Sequence, residues 1–166
     1  AIGQGENSQT LINMMRFYAA IAGDGTIGAP YIVRPREVAV RSLGLAPEQL
    51  AGLKRALSLV VQRGTAAGSG GRDINVAGKT GTGQNPHGKD HGWFIGYAPA
   101  DNPTVIVGSI MEFAEHGTVV APYVVKVIRR YLTSMDPTLL KARVVAPIDG
   151  EPATGTAVTP PDTIRR

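Results

Sequence analysis

The most constraining feature of this sequence is a strand-like run at residues 74–82, which ends in Lys79, Thr80, Gly81 and Thr82. Side chains alternate between the two faces of an extended chain, so Thr80 and Thr82 share a face and can donate to one carboxylate. Gly81 has no side chain that would keep a ligand backbone away. Lys79 leaves on the other face, but its flexible stem can bring the charge back over the strand edge. The run predicts a strand lining a site for an anionic, carbonyl-bearing ligand.

Three segments place apolar residues at helical spacing. The apolar positions are Leu11, Met15, Tyr18, Ala19 and Ala22 in the first, Leu50, Leu53, Leu57 and Val60 or Val61 in the second, and Val120, Val124, Val127, Ile128 and Tyr131 in the third. Ser8 or Thr10 would cap the first helix and Gly23 would end it, whereas Pro47 opens the second helix and Gly64 follows it. We predict three amphipathic helices.

The strands are predicted to form a meander. Residues 74–82, 93–97 and 104–110 have strand character and short polar connections, which is typical of an antiparallel sheet. Residues 31–33 form a short extended piece between prolines, and the glycine-containing residues 65–72 are predicted to be a flexible loop. The predicted fold class is α+β, with helices packed on an antiparallel sheet.

The composition is that of an ordinary globular domain. The chain has 166 residues, of which 43% are apolar, enough to bury one core. The absence of cysteine excludes disulfides, thiolate metal sites and cysteine nucleophiles. A formal charge of +4 from scattered basic residues does not indicate a nucleic-acid surface. No apolar run approaches the roughly 18 residues that a membrane span needs.

The apolar pattern fades after the third predicted helix. We assign residues 1–135 to one folded unit, and residues 136–149, which retain Leu139 and Val144, to an extension that packs on it. Prolines are spread through residues 150–166, so this segment is predicted to be a disordered tail.

Five short segments occur in an order that resembles a known family. They are Ile-Gly-Gln-Gly at residues 2–5, Gln-Thr-Leu at 9–11, Gly-Asp-Gly at 23–25, Ala-Gly-Lys-Thr-Gly-Thr at 77–82, and the run at 91–99. Together they resemble the C-terminal part of the transpeptidase domain of class B penicillin-binding proteins, nearest the rod-elongation D,D-transpeptidases. The resemblance implies the α+β fold of penicillin-binding proteins and serine β-lactamases.

The resemblance also implies roles for the strand residues. Lys79 would be catalytic, helping a serine hydroxyl relay a proton and attracting the substrate carboxylate. Thr80 and Thr82 would bind that carboxylate beside Gly81, and the Thr82 amide would form part of an oxyanion hole. The implied reaction is peptidoglycan cross-linking, in which a serine attacks a D-Ala-D-Ala stem peptide. β-Lactams would acylate the same serine, and no metal or organic cofactor is implied.

The sequence lacks two serine motifs of that family. None of its serines, at positions 8, 42, 58, 69, 109 and 134, is followed at the third place by lysine or at the second by asparagine, as serine acylation in this family requires. We therefore expect the chain to be inactive alone and to need the N-terminal part of the same domain. The resemblance places the parent protein on the extracytoplasmic face of the bacterial inner membrane, with an anchor upstream of Ala1 and cell-elongation membrane proteins as further candidate partners.

Several alternatives compete with this interpretation. A serine β-lactamase or D,D-carboxypeptidase would have the same fold, and a non-catalytic cell-wall-binding scaffold would need no nucleophile. A phosphate loop ending in Gly78, Lys79 and Thr80 would need a glycine where Asp73 stands. His87 and His91 are four residues apart, but in a predicted loop without further ligands, which does not favour zinc. The aromatic residues Trp93, Phe94 and Tyr97 are predicted to pack in the sheet rather than to bind a ligand.

Overall fold

The computed structural model describes residues 9–33, 37 and 39–135. Their elements, in chain order, are α1 (Leu11–Ala22), β1 (Thr26–Gly28), β2 (Val40–Ser42), α2 (Pro47–Gln62), a 3-10 helix (Ala67–Ser69), β3 (Ala77–Gly83), β4 (His91–Ala98), β5 (Val105–Met111) and α3 (Gly117–Met135). The predicted extension at residues 136–149 and tail at 150–166 lie outside the described residues.

The three predicted helices are confirmed. Thr10 caps α1, because its hydroxyl accepts a hydrogen bond from the Asn13 amide at 3.3 Å, and the Gly23 amide donates to the last turn. Helix α2 begins at Pro47, and the Gln49 side chain accepts from the Ala46 amide at 2.9 Å. The starts of α1 and α2 therefore each have a local partner for a backbone group.

Four residues predicted on the apolar helix faces are exposed instead. They are Ala19 and Leu53, Val127 and Tyr131, of which the last three have exposed fractions of 38, 54 and 39%. Helical spacing identifies a broad apolar stripe, but the sheet covers only its centre, so residues on the flank stay outside the packed layer. In α3 the sheet buries Val120 and Val124.

The predicted antiparallel meander is confirmed as the sheet β3-β4-β5. Its first strand starts at Ala77 rather than at residue 74. The reason is a turn at residues 72–75, in which the Asn75 amide donates to the Arg72 carbonyl at 3.0 Å and Asn75 adopts a φ of 52°. Asparagine tolerates this left-handed conformation better than most residues.

The structure adds detail to two connecting segments. Residues 31–33 lie outside both sheets, and the small second sheet pairs β1 with β2, antiparallel, with Ile27 opposite Arg41. Residues 65–72, predicted as a loop, contain the 3-10 helix. A Cβ at Gly71 would lie 3.0 Å from Val76 and 3.2 Å from Val125. That glycine therefore serves close packing rather than flexibility.

The sheet is packed on both faces. One cluster of buried residues includes Phe94, Val120 and Val124 and lies between the sheet and α3. The other includes Ile21, Leu57 and Tyr97 and lies against α1 and α2. Phe94 and Tyr97 are fully buried, as predicted for packing aromatics. No described helix is both long enough and apolar enough to span a bilayer.

Candidate active site along strand β3

Strand β3 is the outer strand of the sheet, with β4 on one side only among the described residues. Thr80 lies opposite Phe94 and Thr82 opposite Gly92. Residues directly opposite each other in a sheet share a face, and Phe94 packs under α3. The two hydroxyls therefore lie together on the face that α3 covers, here called the threonine face, as the alternation of the sequence predicts.

The other face of β3 carries the lysine. Lys79 lies opposite Ile95 and Gly81 opposite Trp93, and this face is turned towards α1. The Lys79 ammonium donates a hydrogen bond to the Thr80 carbonyl at 2.7 Å. The amine therefore lies beside the backbone of the next residue of its own strand, Thr80.

A cleft of about 380 Å³ opens on the threonine face. It is lined by Thr65, Lys79, Thr80, Gly81, Thr82, His116, Gly117 and Thr118. We call it the threonine cleft. Its hydroxyl groups and the ammonium offer hydrogen-bond donors without a carboxylate among the lining residues, which favours an anionic ligand.

Thr65 was not identified from the sequence. Its hydroxyl lies 2.7 Å from the Thr80 hydroxyl, although the two residues are 15 positions apart. The contact arises because the chain leaves α2 beside the outer strand, and the Ala66 amide donates to the Val60 carbonyl at 3.0 Å. No local pattern in the sequence signals this hydroxyl pair.

The first residue of α3 lies directly against β3. A Cβ at Gly117 would be 2.7 Å from the Gly81 carbonyl oxygen and 2.8 Å from its nitrogen, and in still closer contact with the Trp93 carbonyl. Only glycine fits this approach. The helix therefore starts at the threonine cleft, where the partial positive charge of its N-terminus adds to the attraction for an anion.

A second cleft, of about 260 Å³, lies on the other face of β3. Besides the residues of β3 itself, it is lined by Gln9, Met14, Tyr18, Trp93 and Ile95. We call it the lysine cleft. Burial raises the pKa of Tyr18, so its hydroxyl stays protonated at neutral pH. Trp93, predicted to pack in the sheet, is partly exposed and forms a wall of this cleft.

The histidines do not assemble a metal site. His91 accepts a hydrogen bond from the Phe113 amide through Nδ1 at 3.1 Å, and His116 lines the threonine cleft. In the part of the chain that the structure describes, no group of three or more His, Cys, Asp or Glu side chains could hold a metal ion. Lys79 lies within a strand, whereas the lysine of a phosphate loop opens a helix.

Comparison with known protein families gives one clear match. The family model described as the penicillin binding protein transpeptidase domain matches residues 1–128. Among curated proteins, the peptidoglycan D,D-transpeptidase MrdA of Acinetobacter baumannii is 30% identical over 143 residues, covering 70% of this chain and 21% of that protein. The penicillin-binding protein PbpB of Mycobacterium tuberculosis is 34% identical over 138 residues, covering 67% of this chain and 20% of that protein.

Solved structures show the same likeness. Penicillin-binding protein 2 of Pseudomonas aeruginosa, determined with the compound WCK 5153, has a TM-score of 0.64 and 31% identity over 79% of this chain and 32% of that chain. The corresponding protein of Helicobacter pylori has a TM-score of 0.71 and 25% identity, covering 81% of this chain and 26% of that chain. This chain spans about a fifth of the length of the curated relatives described above.

Proposed function

Because this chain belongs to the penicillin-binding protein transpeptidase family and its relatives are class B members, we propose that it supplies one wall of a D,D-transpeptidase active site. The parent enzyme would cross-link peptidoglycan stem peptides through a serine acyl-enzyme and would bind β-lactams. The observation that carries this proposal is the outer position of β3 between two clefts, with Lys79, Thr80 and Thr82 accessible to a ligand. A substrate backbone can approach such a strand as an additional strand.

The threonine cleft is proposed to hold the carboxylate of the stem peptide or of a β-lactam. A hydroxyl carries a single proton, so a Thr80 hydroxyl that donates to the carboxylate cannot also donate to Thr65. Thr65 must then donate to Thr80, since their oxygens are 2.7 Å apart. Thr65 would thereby orient the Thr80 proton towards the ligand and strengthen the bond that Thr80 donates.

Lys79 and Gly81 are proposed to act at the reacting carbonyl. Gly81 lets the carbonyl come close to the strand backbone, and the Thr82 amide would donate to the oxyanion of the tetrahedral intermediate. The Lys79 ammonium would attract the carboxylate and support a serine hydroxyl that returns a proton to the leaving amine. The serine oxygen would form the acyl bond as the terminal D-alanine leaves, and an acceptor amine would then take the acyl group.

The nucleophilic serine and the second serine would come from residues outside this sequence, in the N-terminal part of the same domain. The proposal also places the parent protein at the outer face of the inner membrane. Its partners there would be the peptidoglycan stem peptide and the membrane proteins of cell elongation.

Labelling with a fluorescent penicillin tests this function. We expect no covalent label on the present chain, and a stable label on a longer form of the protein that includes both serine motifs. Labelling of the chain alone would contradict the assignment of the nucleophile. A longer form that releases the label within seconds would indicate a hydrolase of the same fold, and one that never labels would support a scaffold role.

A further inference from the structure

Helix α3 is joined to the segment that precedes β3 by an arginine on its outer flank. Arg129 donates to both carboxylate oxygens of Asp73, at 2.6 and 2.7 Å, and one of the same nitrogens donates to the Gly70 carbonyl at 2.6 Å. Two parallel bonds from a planar guanidinium fix the relative orientation of the partners, unlike a single contact between flexible charges. We call these three bonds the Arg129 clamp.

The clamped segment connects two of the threonines that line the threonine cleft, Thr65 and Thr80. It begins beside Thr65 and ends at β3, which carries Thr80. Within it, the Val76 amide donates to the Gly71 carbonyl at 2.9 Å. A displacement of the turn that holds Gly70 and Asp73 would therefore also displace the start of β3. The distance between the hydroxyls of Thr65 and Thr80 therefore depends on where this segment rests on α3.

The same helix contacts β3 at its other end. Gly117 lies against the backbone of Gly81, and twelve residues of helix, about 18 Å, separate it from Arg129. Helix α3 thus holds the middle of β3 through Gly117 and the approach to β3 through the clamp. A rigid helix with two attachments sets the position of the strand along its length.

We propose that Arg129 is a positioning residue for the β3 site, acting through Asp73 and Gly70 to set the geometry of Thr65, Thr80 and Lys79. Arg129 itself touches neither cleft. The positional part of this inference is independent of the proposed function, whereas its consequence for acylation rests on that function. The two parts are therefore tested by separate measurements.

The positional part is tested on the present chain by amide hydrogen exchange. Arg129→Gln should raise exchange by roughly tenfold, the scale of a lost charge-assisted pair, at Lys79 and Gly81, whose amides alternate with the Thr82 amide along β3 and so point towards β4. The reference amides of Ile106 and Val107 on β5 should change little. Arg129→Lys keeps the positive charge but cannot form the two parallel hydrogen bonds to Asp73, so its exchange rates should lie between those of the unsubstituted chain and Arg129→Gln. The exposed Arg130, changed to glutamine, is the matched control and should leave exchange unaltered.

Exchange that rises equally on β3 and β5 would mean that Arg129 contributes only global stability, and this result would overturn the inference. No change at β3 would overturn it as well. The exchanged pair Asp73→Arg with Arg129→Asp should restore part of the protection at Lys79 and Gly81, because the charges again face each other. If neither the exchanged pair nor Arg129→Lys shows more protection on β3 than Arg129→Gln, the Arg129 clamp does not position β3.

The catalytic consequence is tested in the longer form that contains the serine motifs. Arg129→Gln should lower the second-order rate of penicillin acylation about tenfold, a fraction of the hundredfold that a displacement of 1 Å can cost, and Arg130→Gln should not. Unchanged acylation in Arg129→Gln would reject the catalytic part. If the unsubstituted longer form is not acylated at all, the proposed function fails, and the exchange measurements still decide the positional role.

Discussion

The two outer strands of the sheet are built in opposite ways. Strand β5 reads Val-Ile-Val-Gly-Ser-Ile-Met, mostly residues with high strand propensity. Strand β3 reads Ala-Gly-Lys-Thr-Gly-Thr-Gly, with three glycines that weaken a strand on their own. Strand β5 is therefore favoured by its own sequence, whereas β3 depends on its neighbours to be held in place.

The surroundings of the two strands follow the same division. Beside β3 lie hydroxyl groups, an ammonium and the Arg129 clamp. At β5, Leu11 and Met15 of α1 pack against Gly108. On α3, helical spacing puts a row of exposed apolar and aromatic residues on the flank opposite Arg129, namely Tyr123, Val127 and Tyr131. Strand β3 is therefore accessible to a ligand because polar groups and clefts lie beside it, whereas β5 is covered by apolar side chains of α1.

The sharpest way to break this comparison is to substitute one residue on each strand. In the longer form, Lys79→Ala should lower penicillin acylation by about a hundredfold or more, as expected for a lost proton-handling group. Its thermal stability should change little, because Lys79 is exposed. Lys79→Arg should also be impaired, since arginine keeps the charge but cannot give up its proton.

Val107→Ala on β5 is the matched control. Val107 packs on the core beneath α3, so its truncation should cost about 1–2 kcal/mol of unfolding free energy while acylation per folded molecule is kept. Both quantities come from urea unfolding and gel labelling of the same samples. Equal losses of acylation in the two variants would show that the strands do not differ in function.

A second prediction concerns the contact that seats α3 on β3. Gly117→Ala should destabilise the protein by about 1–3 kcal/mol, because the new methyl group meets the backbone of Gly81 and Trp93. Gly52→Ala is the control, since Gly52 lies in α2 and a Cβ there would meet nothing within 4 Å. That change should stabilise by about 0.5–1 kcal/mol. Urea unfolding measures both, and a neutral Gly117→Ala would disprove the tight contact.

A third prediction isolates the hydroxyl pair. In the longer form, Thr65→Val should reduce acylation by a free penicillin about two- to tenfold, the range of one neutral hydrogen bond, and Thr65→Ser should retain it. A penicillin methyl ester lacks the anionic carboxylate, so Thr65→Val should affect its reaction much less. An equal loss with both ligands would mean that Thr65 acts on the fold of the cleft rather than on carboxylate binding.

Local patterns predicted the elements that depend on neighbouring residues. The helices follow from apolar spacing and end signals, and the placement of Thr80 and Thr82 on one face follows from the strand period. The family resemblance rests on the order of the motifs, and the match of the transpeptidase family model over residues 1–128 confirms the family. The roles of Lys79, Thr80, Gly81 and Thr82 stay predictions.

Features that depend on distant contacts were missed. Thr65 meets Thr80 across 15 positions, and Arg129 meets Asp73 across 56, so no window of sequence contains both partners. The paired strands β1 and β2 have three residues each, too few to show a period. Gly71 suggests a flexible chain when only its sequence neighbours are considered, whereas its close approach to Val76 and Val125 arises only in the fold.

The smallest expected effect is the pH dependence of the Arg129 clamp. Hydrogen bonds from Arg129 lower the pKa of Asp73 below its ordinary value of 3.8, although partial burial opposes them. The clamp therefore stabilises the fold at pH values above 3.8, and this contribution is lost as the pH falls through the lower, folded pKa.

In Arg129→Gln the pKa of Asp73 should rise towards its ordinary value, which carboxyl NMR titration measures. Asp24, whose pKa is lowered by the Thr26 hydroxyl and amide, is an internal control and should titrate as before. An unchanged Asp73 titration would show that the guanidinium does not govern this carboxylate in solution, and the attachment of α3 to β3 would then rest on the contact at Gly117.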